Sequence, residues 1–273
     1  MTPLGKLLER IALDAGAAIL QIYEVGCKIS CKKDGSPVTE ADQRAEAIIL
    51  DQLAVAFPNI PVVAEEAVAS GHIPDVGRGS FFLVDPLDGT KEFINRRDDF
   101  TVNIALINEG VPTAGIVCAP ARRCAYVADE GRAEKLHLCR DFEIEQRQAI
   151  RVRKRGPDLT AIASRSHSNA GTEAFLRGQG ITEYLSVGSS LKFCLLAEGK
   201  ADVYPRFGRT MEWDTAAGNA VLECAGGSVV RLDGSRLLYG KRMQLEDSDF
   251  ANPHFIAWGD MQPCEEQNIA DRK

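Results

Sequence analysis

The chain has 273 residues, with 39 acidic side chains against 32 Lys and Arg and a formal net charge of −7; 45% of it is hydrophobic and 26% charged. This balance excludes a disordered or collagen-like chain. It also argues against a nucleic acid polymer as partner, because duplex binding runs on Lys and Arg neutralising phosphates.

The elements follow in chain order. Leu4, Leu8, Ile11, Ala15, Ala18, Ile19 and Ile22 recur at three-and-four spacing and predict an amphipathic helix closing near Gly26. Glu9, Arg10 and Asp14 interrupt it, against a signal-peptide reading. A polar loop through 32–37 leads to Thr39, with Asp42 at capping-box spacing and Ala45, Ile48, Ile49 and Leu53 on one face of a second helix ending by Pro58. Short β-rich runs at 61–64, 81–84, 101–107, 113–119 and 124–128 predict a largely antiparallel sheet. Residues 129–157 read as charged and irregular. Within them Arg151, Arg153, Lys154 and Arg155 are a solvated connection or a contact to an anion or membrane surface.

The second half alternates. A strand at 160–163, a helix at 172–179, a strand at 184–187 and a helix begun by Ser189 or Ser190 are followed by a strand at 201–204. A helix at 214–224 closed by Gly226-Gly227 and strands at 228–232 and 255–258 complete the chain. No repeat or low-complexity linker breaks it, so one α/β domain with helices flanking two stacked sheets is expected. The eight cysteines (27, 31, 118, 124, 139, 194, 224, 264) are dispersed with no CxxC pair, as in a reducing cytosol, and Cys194 reads as core. No apolar run is long enough for a transmembrane segment.

Several familiar sites are missing. Gly234 to Lys241 puts five residues between its glycines where a Walker A loop needs four. There is no GxSxG elbow and no HExxH helix, and His72, His137, His167 and His254 are too far apart for zinc spacing. What remains is acidic. Asp85 and Asp88 close the hydrophobic run 81–84, where two like charges would repel and lose solvation unless a cation sat between them. Such hard oxygen donors suit Mg²⁺. Pro86 leaves the Leu87 carbonyl free as a further oxygen ligand, and Gly89 and Thr90 would open a short helix with amides suited to an anion. The bland alternatives are a simple turn at 85–89, a solvated pair at Glu65-Glu66 after the apolar 62–64, and an N-cap at Asp214.

Taken together, Asp85-Pro86-Leu87-Asp88-Gly89-Thr90, the preceding Glu65-Glu66 and the later Trp213-Asp214-Thr215-Ala216-Ala217-Gly218 resemble the signatures of the lithium-sensitive, Mg²⁺-dependent phosphatases related to inositol monophosphatase. Lys91-Glu92-Phe93-Ile94, Ser164-Arg165-Ser166-His167 and Gly188-Ser189-Ser190-Leu191-Lys192-Phe193-Cys194 are similar to the bacterial 3′(2′),5′-bisphosphate nucleotidase (CysQ-type) branch. The resemblance spans about residues 4 to 258 and matches no motif in 122–158 or in the tail.

The resemblance implies a layered α-β-α-β-α sandwich, with a metal-binding half over about 1–150, a substrate-binding half over about 151–260 and a tail over 260–273. It implies two or three Mg²⁺ per site. Glu65, Asp85 and the Leu87 carbonyl would hold one, Asp85, Asp88 and Asp214 a second, and Asp42 with Glu65 a weaker third. Thr90, hydrogen-bonded to Asp42, would orient and deprotonate the attacking water beside Glu65, with no covalent intermediate. Glu65, Leu87, Asp88, Gly89, Thr90 and Asp214 would surround the departing phosphate. His167, Ser189, Lys192 and Arg206 are the candidates for ribose, base and 5′-phosphate, with Arg165 a further cation of that half. Against this, Lys192 and Arg206 read as surface charges and His167 as a structural donor.

The implied reaction is hydrolysis of adenosine 3′,5′-bisphosphate to AMP and phosphate, and of its sulfated analogue to adenosine 5′-phosphosulfate, clearing a by-product of sulfate assimilation. The partner is then a small nucleotide. The location is the cytoplasm, or the cytoplasmic face of the inner membrane by peripheral contact. The alternatives are an inositol or sugar phosphatase of the same family and a non-catalytic Mg²⁺- or nucleotide-binding module.

Overall fold

The computed structural model describes residues 1–26, 29–31, 37–164 and 170–260. Helix α1 (Pro3–Val25) starts at Thr2, whose hydroxyl accepts from Gly5 N–H at 3.2 Å, and ends at Gly26 with φ 92°. Strands β1 (Ile29–Cys31) and β2 (Pro37–Thr39) pair antiparallel, a hairpin the sequence pattern did not predict. Helix α2 (Glu40–Ala56) opens on the expected capping box. Thr39 Oγ1 accepts from Ala41 N at 3.1 Å, and Asp42 Oδ2 accepts from Thr39 N at 2.7 Å.

A seven-stranded sheet follows, in the order β3 (Val62–Ala64), β4 (Ser80–Asp88), β5 (Thr101–Asn108), β6 (Val111–Ala119), β7 (Cys124–Asp129), β8 (Arg132–Leu138) and β9 (Ile144–Ala149). Only β3 and β4 pair in parallel. Helix α3 (Glu65–Ala69) grows directly from β3, and α4 (Thr90–Ile94) follows β4. The expectation of an irregular 129–157 is corrected by β8 and β9. Ala133, Leu136 and Leu138 point inward along β8 between exposed or half-exposed charged residues, and β9 is a solvated edge whose composition hides its strand. The basic cluster after it is exposed at Arg151, Arg153, Lys154 and Arg155, as expected of a solvated connection, and two of its side chains have partners. Arg153 grips Asp202 through Nε and Nη2 at 2.8 and 2.5 Å, and Arg155 lies over the Trp258 ring.

The second sheet has the order β11-β10-β12-β14-β13, built from β10 (Thr160–Ser164), β11 (Glu183–Val187), β12 (Val203–Arg206), β13 (Ser228–Arg231) and β14 (Phe255–Trp258). Helices α5 (Ala170–Gly178), α6 (Leu191–Ala197) and α7 (Ala216–Cys224) intervene in sequence.

Three apolar clusters correspond to the interfaces of a five-layer stack. Along β4, Phe82 and Val84 pack toward α1 and α2, while Phe81 and Leu83 pack toward α6, α7 and the second sheet. A smaller cluster around Ala161, Ile181 and Val203 lies under α5 with Phe175 and Trp258. The middle layer is tight: a Cβ on Gly218 of α7 would stand 2.6 Å from Phe193 Cδ2 of α6, so only glycine lets the two helices meet. That contact sets α6, which carries Lys192, beside the turn holding Asp214. Among the described residues no helix is long and apolar enough to cross a membrane, and Cys118, Cys124, Cys139, Cys194 and Cys224 are free thiols, Cys194 fully buried.

Candidate active site

The sheet does not stop where the hydrophobic run ends. Strand β4 continues through Asp85 to Asp88 with a register irregularity between them, placing Asp85 opposite Asn103 and Asp88 opposite Thr101 on β5. Pro86 has no N–H, and the next donor, Leu87 N, turns back onto Asp85 Oδ1 at 3.0 Å. Gly89 then takes φ 96°, and a Cβ there would sit 3.0 Å from the Asp99 carbonyl and 3.3 Å from Phe100 Cα. Both the backbone angle and the space require glycine. Thr90 opens α4 as expected, and its Oγ1 stands 3.1 Å from Asp42 Oδ1 and 3.3 Å from the Leu87 carbonyl, so one proton serves two acceptors. Asp42 is held from its other oxygen by Thr39 N and Oγ1, both at 2.7 Å.

Four further carboxyl groups gather at this strand end: Asp85, Asp88, Asp214 and Glu65, the last at the first turn of α3. Asp85 is held well above the usual carboxylate range by burial first and then by Glu65, Asp88 and Asp214, and it shares a hydrogen bond with the Glu65 side chain. Asp214 is raised likewise, by burial and then by Asp88 and Glu65, against the Met211 N–H at 2.8 Å and Arg206. Its carboxylate therefore caps its own turn rather than α7, which starts at Ala216 and corrects the expected start at 214. Asp88 is pushed up to about 6 by burial, against the attraction of Lys192 and the Ser190 N–H at 2.6 Å. Burial also raises Asp42.

Among the described residues no three His, Cys, Asp or Glu side chains form a ready-made metal trio. Each acid leans instead on a neighbour: Asp85 on Glu65, Asp88 on Ser190 N and Asp214 on Met211 N. The donor chemistry nonetheless fits a hard divalent cation. The donors are all oxygen, and the acids oppose one another's ionisation at a place where positive charge would relieve them.

The acids share a cavity of about 270 Å³ with two cations, the acids its floor and the cations its wall. Glu65, Asp88, Thr90 and Asp214 line it together with Lys192 and Arg206. Neither cation is a surface charge: they are 6% and 9% exposed. Lys192 is pulled down to about 8 by burial, which Asp88 partly offsets. Its Nζ donates to the Ser189 carbonyl at 2.5 Å and lies over the Tyr204 ring, with Ser189 itself in the left-handed region at φ 48°. Arg206 donates from Nη2 to the Arg209 carbonyl at 2.9 Å, and its buried Nε has no hydrogen-bond partner among the described residues. Arg165 and His167 lie outside the described residues.

Residues 1–257 match the Inositol monophosphatase family. The chain belongs to that family. Its enzymes are metal-dependent phosphatases. The chain is 45% identical over 249 residues to the 3′(2′),5′-bisphosphate nucleotidase CysQ of Escherichia coli (strain K12), covering 90% of this chain and 96% of that one. It is 38% identical over 257 residues to the protein of the same name in Buchnera aphidicola subsp. Acyrthosiphon pisum, covering 92% and 93%. The crystal structure of CysQ from Bacteroides thetaiotaomicron, a bacterial member of the inositol monophosphatase family, aligns with a TM-score of 0.75 at 36% identity, covering 94% and 97%.

Within this family member, sequence reasoning missed the groups that brace the acids. Ser190 Oγ donates to Asn103 Oδ1 at 2.7 Å and so receives Thr101 Oγ1 at 2.8 Å. All three are at most 2% exposed. Gly188 N donates to Asp99 Oδ2 at 3.1 Å, and Arg122 binds the other oxygen of Asp99. The available signal was the polar pair Thr101 and Asn103 at alternate positions in an apolar strand, which places both on one face. Glu212, fully buried, accepts from Gly240 N at 2.6 Å and Lys241 N at 2.9 Å, fixing the chain just before Asp214.

Proposed function

We propose that this chain is a Mg²⁺-dependent 3′(2′),5′-bisphosphate nucleotidase that hydrolyses adenosine 3′,5′-bisphosphate to AMP and phosphate, and the sulfated analogue to adenosine 5′-phosphosulfate. One observation carries the reading: a single cavity sets an acidic floor against two buried cations. The floor suits metal ions and the phosphate they bind. The wall suits a second phosphate on the same molecule.

The assigned ligands are Glu65, Asp85 and the Leu87 carbonyl for one ion, Asp85, Asp88 and Asp214 for a second, and Asp42 with Glu65 for a weaker third. Bound there, the ions supply charge neutralisation and a lowered pKa for the attacking water. The chain's own residues move the proton. Thr90 Oγ1 passes its hydrogen to Asp42 Oδ1 as it takes one from the water, and burial of Asp42 raises its affinity for that proton. Glu65 holds the water's other side. The Gly89 and Thr90 amides face the departing phosphate, whose oxygens carry the developing charge. Lys192 and Arg206 hold the 5′-phosphate, with Ser189 and His167 toward ribose and base.

The chain acts as one domain in the cytoplasm, clearing a by-product of sulfate assimilation. Its ligands are not confined to residues 1–150, since Asp214 comes from the second half. An inositol phosphatase would need the same floor but has no use for two buried cations facing it, and a non-catalytic module no use for the Thr90 to Asp42 relay. The reading is tested by phosphate release with Mg²⁺ from adenosine 3′,5′-bisphosphate and from inositol 1-phosphate. Turnover of the first well above the second is expected. Release from inositol 1-phosphate alone would leave the chemistry standing and remove the substrate.

A further inference from the structure

The cavity has a second arginine whose charge is engaged only loosely. Arg209 lines the same space as Arg206, and the two are tied through the bond from Arg206 Nη2 to the Arg209 carbonyl. The guanidinium of Arg209 is more than half exposed. Its Nε and Nη2 reach one and the same oxygen, Asp247 Oδ1, at 3.3 and 3.2 Å, and Nη2 also donates to Ser248 Oγ at 2.6 Å. Two long bonds to one oxygen leave the fork poorly used, since a guanidinium prefers two acceptors side by side.

Asp247 does not depend on that contact. Its Oδ1 already accepts from Ser248 N at 2.7 Å, and its loop is closed by bonds of its own. Arg242 Nε and Met243 N both donate to Asp249, at 2.7 and 2.6 Å, and Gln244 Nε2 donates to the Ser248 carbonyl at 2.7 Å. The base of the loop is pinned by Phe250 N on the Lys241 carbonyl at 2.7 Å. Asp247 is therefore presented at a fixed place whether or not Arg209 stays on it.

Resting on the nucleotidase reading, we propose that Arg209 is a specificity-determining residue for the second phosphate, and that Asp247 is a counter-ion it exchanges for that phosphate. A phosphate dianion offers adjacent oxygens that satisfy the whole fork, and an exposed ion pair is weak enough to exchange for it. The carboxylate released keeps its Ser248 N–H and water. Asp247 thus competes with the substrate and sets how strongly the enzyme prefers a nucleotide carrying two phosphates.

The test uses full-length protein with Mg²⁺ and two substrates differing only at the 5′ position, adenosine 3′,5′-bisphosphate and adenosine 3′-monophosphate. The readout is the ratio of their kcat/KM values. Arg209→Ala lowers this ratio about tenfold through the KM of the bisphosphate, and Arg209→Lys, which keeps charge but not the fork, lowers it less. Asp247→Asn raises the ratio about threefold by removing the competitor. A ratio that Arg209→Ala leaves within about twofold of wild type overturns the assignment. An Asp247→Asn variant that lowers the ratio as Arg209→Ala does makes Asp247 an anchor and overturns the exchange. Wild-type enzyme with no preference for the bisphosphate removes the nucleotidase reading and this inference together, whereas a clear preference untouched by both variants removes this inference alone.

Discussion

Buried charge lies on both sides of the cavity but under opposite conditions. On the floor, Asp85, Asp88 and Asp214 are raised by burial first and then by neighbouring acids, Glu65 among them in all three, and no nearby cation is enough to keep Asp85 or Asp214 in the usual range. On the wall, Lys192 is lowered by burial but steadied by Asp88 and by the Ser189 carbonyl. The floor is thus frustrated within itself, while the wall is partly satisfied by the floor. Divalent ions held by these acids would neutralise them and loosen the hold of Asp88 on Lys192. The wall would then be a better anion site, and metal and nucleotide would favour each other's binding.

The sharpest way to break this comparison is to remove a charge from each side. Asp85→Asn is expected to cut turnover by at least ~10²-fold, because it removes the proposed bridging ligand, yet to raise the melting temperature of metal-free protein. Lys192→Gln is expected to lower that metal-free melting temperature, since it removes the cation nearest the floor. Equal shifts in one direction would show that the two sides do not differ as described. Both are read by thermal melts in EDTA beside phosphate release in Mg²⁺.

Thr90→Val comes next. It deletes the hydroxyl between water and Asp42 and is expected to lower kcat about 10²-fold with a much smaller change in KM, while Thr90→Ser restores most of the rate. Loss through KM alone would move Thr90 from the proton relay to binding. Lys192→Ala should raise KM for the bisphosphate about tenfold and that for a monophosphate much less. Gly218→Ala tests the packing that brings the two sides together. A methyl driven against Phe193 should cost about 1–3 kcal/mol in denaturant unfolding.

The smallest effect is on pH. Asp88 has a folded pKa of about 6 against an ordinary 3.8, so the native state binds more protons than the unfolded state between those values. Metal-free stability should therefore be greatest near or below pH 4 as far as this group is concerned, and decline as pH rises through about 6. Added Mg²⁺ should flatten the decline, as melts across that window with and without the ion would register.

Part of the floor was legible in the sequence because it is local, while Glu65 and Asp214 joined it through the family resemblance. Asp85 to Thr90 are contiguous in the chain, and the Asp42 capping box and the short helix at Thr90 follow from near neighbours. The wall was legible only as cations of uncertain burial. Whether Lys192 and Arg206 face solvent depends on α6 and β12 packing beneath Tyr204, which no local pattern records. The Ser190, Thr101 and Asn103 brace and the Arg209 to Asp247 pair were hidden for the same reason: their partners are distant in sequence. Strands β8 and β9 were lost to their charged residues, since an edge strand with one wet face carries the composition of a loop.

The central claim is that one cavity joins a metal-binding floor to a wall for a second phosphate. The most direct measurement is phosphate release from adenosine 3′,5′-bisphosphate and from inositol 1-phosphate by the purified protein, in Mg²⁺ and again in EDTA. The account predicts rapid, Mg²⁺-dependent release from the nucleotide and much slower release from the inositol ester. Equal turnover of both substrates, or nucleotide turnover that survives EDTA, would contradict it.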